Sequence, residues 1–175
     1  MEQKRRQRER QKSRVGGRIG ACQKARQAQA GSHIQGRAAA MKTAVDSSVL
    51  FDIVKGAPGA AAAQAALEAA LAHGSLCVCA VVVAELGRYF KRNEDVQAFL
   101  ADCQIEHDPI ALPAALGAAG IMRAYARNKG PRERVAPDFL IGAHALHQAD
   151  ALLTTDGGFY RHYFAGLAVV APQAH

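Results

Sequence analysis

PDFLIGAHALHQADALLTTDGGF, residues 137–159, decides how this chain folds. It reads in three parts: a helical segment opening at Asp138, a short apolar strand over 151–155, and Asp156 where that strand runs into Gly157-Gly158. In a parallel α/β sheet, ligands bind beyond the carboxyl ends of the strands, and Asp156 stands at such an end. Asp138 begins at the opposite edge unless its helix is entered from the top of another strand. Function therefore turns on whether these two acids meet others from elsewhere in the chain.

Working outward, the pattern is one of strands separated by helices. Thr43-Ala44-Val45 forms a short apolar strand ending in Asp46, and Ser47-Ser48 offers capping hydroxyls to the helix that follows. Gly56, Pro58 and Gly59 interrupt the chain before an Ala-rich helix over 60–72, in which Leu67 and Leu71 share a face; His73-Gly74 stops it. Residues 76–83 are a continuous apolar, β-branched run, which predicts a strand covered on both faces. A helix carrying Glu85 continues to about Lys91. The pattern then predicts a helix over 94–103, a strand over 105–110 and a long helix from Pro113 to Arg127, before a basic loop over 128–136. Beyond the opening stretch come a short helix near 159–164 and a last strand over 167–170. Such alternation predicts an α/β fold: a mostly parallel sheet joined by right-handed crossovers, with helices on both faces.

At 175 residues the chain has room for one domain of ordinary size. Its net charge of +7 is unevenly placed. Residues 1–40 hold 11 Lys/Arg against 2 Asp/Glu, whereas 41–175 hold 11 against 13, so the basic character belongs to the leader. Val15, Ile19 and Ile34 are the leader's only aliphatic β-branched residues, and it has no Leu and no aromatic. It cannot bury enough surface to offset its ordering entropy, which predicts disorder over 1–40 and a folded domain over 41–175. One role for the leader is a phosphate-neutralising nucleic-acid arm. The plainer expectation is that the biological protein starts at Met41, directly before the first strand. Cys22, Cys77, Cys79 and Cys103 lack zinc-ribbon or CxxC spacing; Cys77 and Cys79 alternate along the expected strand as small buried thiols. That usage suits a reducing cytosol, hence a cytoplasmic protein. No apolar run approaches the ~20 residues of a membrane span.

Asp46 and Asp156 end strands, and Glu85 lies just past the carboxyl end of the second strand. Those three converge by topology, and the loop 128–136 is long enough to return Asp138 to the same edge. Four acids at one edge repel each other unless a cation sits between them. An all-oxygen set suits Mg²⁺ or Mn²⁺ rather than zinc, and such ions activate water and orient phosphate oxygens. Phosphodiester hydrolysis is the reaction this set fits best. Each acid also has a plain role: Asp46 or Asp138 as a helix cap, Glu85 as a surface charge, Asp156-Gly157 as a turn. Glu85 fits its plain role worst, because it follows an apolar run and an unpaired buried charge is expensive.

These residues carry a family resemblance. AVDSSVLFDI, with Asp46 and Ser48, resembles the opening D-x-S/N motif of PIN-domain nucleases; VVVAELGRYF, with Glu85, resembles their second motif. PDFLIGAHAL, with Asp138 and Ala143, is similar to their D-x-x-I-A-x-x-A helix, and LLTTDGGF, with Thr154, Asp156 and Phe159, to their closing T-x-D-x-x-F. Order and spacing agree from Met41 to about Val170. The small size most resembles the VapC-type toxin ribonucleases. The resemblance implies a three-layer α/β/α sandwich and a metal-dependent endoribonuclease that forms a homodimer and is inhibited by a small antitoxin. It implies that Asp46, Glu85 and Asp138 hold the metal, with Asp156 in support. Gly158 departs from the pattern, standing where many relatives carry another acid, which leaves open whether one ion binds or two.

Lesser candidates complete the set. Arg88, Lys129, Arg132 and Arg134 are candidate RNA-phosphate contacts, and Ser48 and Thr154 are candidates to hold the carboxylates or metal-bound water. His144 and His147, with Asp150 nearby, suggest a metal site on paper, but their helical angles turn away from Asp138. The Ala-rich helices at 60–72 and 112–127 offer faces for a dimer or antitoxin partner, and core packing explains them equally well. Two rival functions share these residues: RNA processing or single-stranded DNA cleavage on the same fold, and a catalytically silent RNA- or protein-binding module.

Overall fold

The structure, a computed structural model, describes residues 40–128 and 135–173; the leader and Lys129, Arg132 and Arg134 lie outside the described residues. The strands are β1 (Met41–Val45), β2 (Gly74–Val78), β3 (Ile105–His107), β4 (Ala151–Leu153) and β5 (Ala168–Val170). Seven helices intervene among the described residues: α1 (Ser47–Lys55), α2 (Ala60–His73), α3 (Ala80–Gly87), α4 (Asn93–Asp102), α5 (Leu112–Arg127), α6 (Ala136–Gln148) and α7 (Gly157–Tyr163). The five strands order as β3-β2-β1-β4-β5, every neighbouring pair parallel. This is the expected α/β sandwich, with β1 in the centre.

The ladder register assigns the faces. Thr43 pairs with Ala151 and Val45 with Leu153, so these side chains share one face, which meets the alanines of α2. Ala44 pairs with both Cys77 and Leu152 and faces the other way, toward α6. Continuing the alternation puts Asp46 and Thr154 on the α6 side.

Two expectations about the second strand are corrected. The run 76–83 is not one strand: β2 ends at Val78, and Val81, Val82 and Val83 are helical. β-branched residues favour strands only weakly against tertiary packing. Here α3 buries Val82 and Leu86, four apart on one face, against α1, α4 and α6. Cys79 is therefore the cap before α3 rather than a strand residue, although it and Cys77 are both buried free thiols as expected. The helix ends at Gly87, and i→i−3 turns carry the chain on through Phe90. The expected strand 105–110 is also short. Asp108 adds one more backbone bond, to the Val78 carbonyl at 2.9 Å, and Pro109 then has no N–H to give.

The α5–α6 pair settles where Asp138 begins. Two residues separate Gln148 from β4, and the Asp150 N–H bonds to the Lys42 carbonyl at 2.8 Å, so α6 finishes at the amino edge of the sheet. The Gln148 side chain accepts the Ala111 N–H at 2.8 Å, which starts α5 at that same edge. Hence α5 climbs and α6 descends. From Asp138 down to Gln148 is ~15 Å of helix, and from Ala151 up to Asp156 is ~16 Å of extended chain. The two acids of the opening stretch thus stand at one height, at the carboxyl edge.

Candidate active site

Asp46 is held by three hydroxyl contacts. It occupies the position before α1 with extended backbone, yet its side chain caps nothing. Its Oδ2 instead accepts the hydroxyls of Thr154 at 2.6 Å and Ser48 at 2.8 Å, while Oδ1 has one long contact, from Ser47 Oγ at 3.4 Å. Thr154 Oγ1 in turn accepts the Asp156 N–H at 3.0 Å, and Ser48 Oγ accepts the Thr155 N–H at 3.2 Å. The connections after β1 and β4 are therefore sewn together by two hydroxyls, each working as donor and acceptor. Asp46 is 5% exposed, and among the described residues no basic side chain pairs with it. A carboxylate buried without a cation is electrostatically incomplete.

The other three acids sit on elements that reach the same edge. Glu85 is half-buried in the second turn of α3, the helix that follows β2; the Cys79 thiol before that helix is pushed up chiefly by burial, with the Glu85 charge adding to it. Asp138, third residue of α6 and half-buried, accepts the Val135 N–H at 3.2 Å, so it does close the start of its helix. Asp156 precedes α7 and makes no capping bond with its side chain. Aromatic packing fixes these last two relative to each other. Phe139, next to Asp138, meets Phe159, three beyond Asp156, edge to face at 5.4 Å, and Tyr125 closes on both rings at 5.3 and 6.3 Å.

The four acids stand on elements that reach one edge of the sheet, and no three of them bring ligand atoms within 4.8 Å of one another. Among the described residues, the one group of three potential ligands within 4.8 Å of one another is Cys77, Asp108 and His144. Sequence reasoning missed it, and it is a polar buttress about 9 Å along α6 from Asp138. Asp108 Oδ2 receives Lys42 Nζ at 2.8 Å, His144 Nε2 at 3.0 Å and Gln148 Nε2 at 3.2 Å, so an ammonium already fills the place of a cation. Burial opposes the Asp108 charge, and the bonds from Lys42 and His144 outweigh it, holding the carboxyl below its usual value. Burial pushes the His144 imidazole down and the Cys77 thiol up to about 11. The paper set of His144, His147 and Asp150 is not assembled: Asp150 accepts the Lys42 N–H at 2.7 Å, and the His147 ring lies against Gly117. The sequence did hold one signal for the buttress, a histidine inside the apolar run of α6. Arg88 is exposed on the turn after α3.

A hard divalent cation suits the acidic edge on donor chemistry: oxygen atoms only, one of them a buried carboxylate lacking a counter-charge.

The PIN-domain profile matches residues 43–165, which runs from within β1 through β4 and α7 and includes all four acids. The chain belongs to the PIN-domain family. No curated protein sequence matches it. Among solved structures, this PIN domain is similar to a chain of VapBC2 from Rickettsia felis bound to a promoter DNA fragment (TM-score 0.61, 16% identity, covering 75% of this chain and 98% of that one). It is similar to a chain of DNA-bound VapBC from Salmonella typhimurium (0.58, 16%, 76% and 99%). FitAcB from Neisseria gonorrhoeae gives a TM-score of 0.53 at 24% identity, covering 74% and 97%. At these identities the likeness is one of fold. Among the described residues of the PIN domain, no helix is long and apolar enough to cross a membrane.

Proposed function

We propose that the chain is a Mg²⁺- or Mn²⁺-dependent endoribonuclease and the toxin of a type II toxin–antitoxin pair, working in the cytoplasm as a homodimer held in check by a small antitoxin. The observation that carries the nuclease reading is Asp46: a carboxylate buried at 5% exposure, oriented by two hydroxyls, with no cationic side chain among the described residues. The toxin reading draws support from the structural neighbours, which are named as VapBC and toxin–antitoxin complexes.

In this reading Asp46, Glu85 and Asp138 hold the metal and Asp156 orients it or a second ion. When bound, the ion lowers the pKa of a coordinated water and neutralises charge on the phosphate. Ser48 and Thr154 lock the Asp46 carboxylate in one rotamer, so Oδ1 is presented without reorganisation at the moment of reaction. The reaction is in-line displacement at an RNA phosphodiester, with Arg88, Lys129, Arg132 and Arg134 offering positive charge to a strand that meets a mildly acidic fold.

Purified protein should cleave total RNA only with added Mn²⁺ or Mg²⁺, and Asp46→Asn should reduce the rate by at least a hundredfold while leaving the far-UV spectrum intact. Undiminished cleavage by Asp46→Asn, with contaminating nuclease excluded, overturns the site. Growth arrest on expression, relieved by co-expressing a small adjacent gene, tests the toxin role.

A further inference from the structure

Outside the acidic edge, the surface carries a cluster that the chemistry above does not use. Phe51 of α1 and Tyr89, on the turn after α3, bring their rings together at 4.8 Å, tilted by 53°. Phe51 is half-buried and forms the backing; Tyr89 is 40% exposed. The ammonium of Lys55, one turn beyond Phe51, stands 4.9 Å from the Tyr89 ring centre and 5.1 Å from that of Phe51. Arg88 and Lys91 flank Tyr89 in the run Gly87-Arg88-Tyr89-Phe90-Lys91-Arg92, which contains three cations and no acid, and both are exposed.

The position of the cluster gives it meaning. Phe51 lies five residues beyond Asp46, ~7.5 Å along the axis of α1, and Tyr89 lies four beyond Glu85, ~6 Å past it. Because α1 packs on α3, the two offsets land on one spot, a little more than a helical turn along the chain from Asp46 and from Glu85. An exposed aromatic residue with cationic side chains beside it is the combination that holds unpaired nucleotides: the ring takes the base and the ammonium takes the backbone charge.

We propose that Tyr89, backed by Phe51 and flanked by Lys55 and Arg88, is a base-stacking subsite for single-stranded RNA beside the acidic edge. This rests on the nuclease reading and adds to it a substrate requirement: a base next to the cut must be free of pairing. A duplex keeps its bases stacked within the helix and cannot use the platform.

The test is binding of a short fluorescein-labelled single-stranded RNA of mixed sequence to the Asp46→Asn protein, followed by anisotropy across a salt series. Adding Tyr89→Ala weakens binding roughly tenfold, the scale of one lost base–aromatic stack, while Tyr89→Phe keeps it. Adding Lys55→Met lowers the slope of log affinity against log salt by roughly 0.7, one phosphate's share for a single strand. In the otherwise wild-type enzyme, Tyr89→Ala raises KM for that RNA, and a matched duplex competes poorly. Unchanged affinity and KM in Tyr89→Ala, with wild-type protein still cutting, overturns the platform and leaves the nuclease standing. A wild-type protein that neither binds nor cuts RNA overturns both.

Discussion

Thr154 shows how much a single hydroxyl can carry. It is fully buried, donates to Asp46 Oδ2 at 2.6 Å and accepts the Asp156 N–H at 3.0 Å, so it orients one acid and ties down the backbone of another. Thr154→Val keeps the shape and removes both bonds. The buried carboxylate is left with Ser48 as the remaining hydroxyl donor to Oδ2, and the Asp156 N–H loses its bond to Oγ1. The expected cost is ~1–3 kcal/mol of unfolding free energy, read as a lower urea midpoint at unchanged slope, together with weaker Mn²⁺ binding in calorimetry. Ser48→Ala should act in the same direction with a smaller effect, because its bond to Oδ2 is the longer of the two. Equal metal affinity in wild type and Thr154→Val would show that the hydroxyl serves stability alone. Sequence reasoning had both hydroxyls near the acids because they sit two residues from Asp46 and Asp156. It could not show that Asp46 forgoes capping, since choosing between a backbone N–H and two hydroxyls takes three dimensions.

At the scale of elements, α6 must approach the turn after α7 closely enough to hold Asp138 beside Asp156. Gly142 allows it. A Cβ at that position would lie 2.4–2.8 Å from three ring atoms of Phe164, which is itself 1% exposed and enclosed by Phe159 and Tyr160. Gly142→Ala should gain helix propensity yet lose ~1–3 kcal/mol from overpacking, because neither ring nor backbone has room to retreat. Pairing it with Phe164→Leu should recover part of the loss in a double-mutant cycle, and simple additivity of the two would contradict the contact. Elements were legible in the sequence wherever pattern and packing agree: the apolar residues ending in Asp46, the Pro-initiated α5, and the helix–strand succession of 136–153. They were not legible at 76–83, where three valines in a row favour a strand locally while the demand for Val82 and Leu86 to face α1 and α6 bends the chain into α3. Nor could the buttress of Lys42, Asp108 and His144 be read, because its members come from β1, the residue after β3 and α6, and meet only once the sheet order is known.

At the scale of the whole molecule, residues 41–175 carry 13 acids against 11 Lys/Arg, and four of those acids stand on elements that reach one edge of the sheet. Folding brings these like charges closer than the extended chain would, so the apo fold bears a repulsion that a cation relieves. A ligand that binds the native state and not the unfolded chain adds RT ln(1 + [L]/Kd) to stability, about 2.7 kcal/mol at a hundredfold excess over Kd. Mn²⁺ should therefore raise the thermal midpoint in proportion to the logarithm of its concentration, and EDTA should return it to the metal-free value. Asp46→Asn should abolish the shift. It should also raise the metal-free midpoint or leave it unchanged, because the buried charge goes while the amide carbonyl still accepts from Ser48 and Thr154. Ordinary damage to the core would lower it. That opposite sign separates a functional charge, held at a cost to the fold, from a structural one. A wild-type midpoint indifferent to millimolar Mn²⁺ would remove the metal from the edge and the phosphodiester chemistry with it.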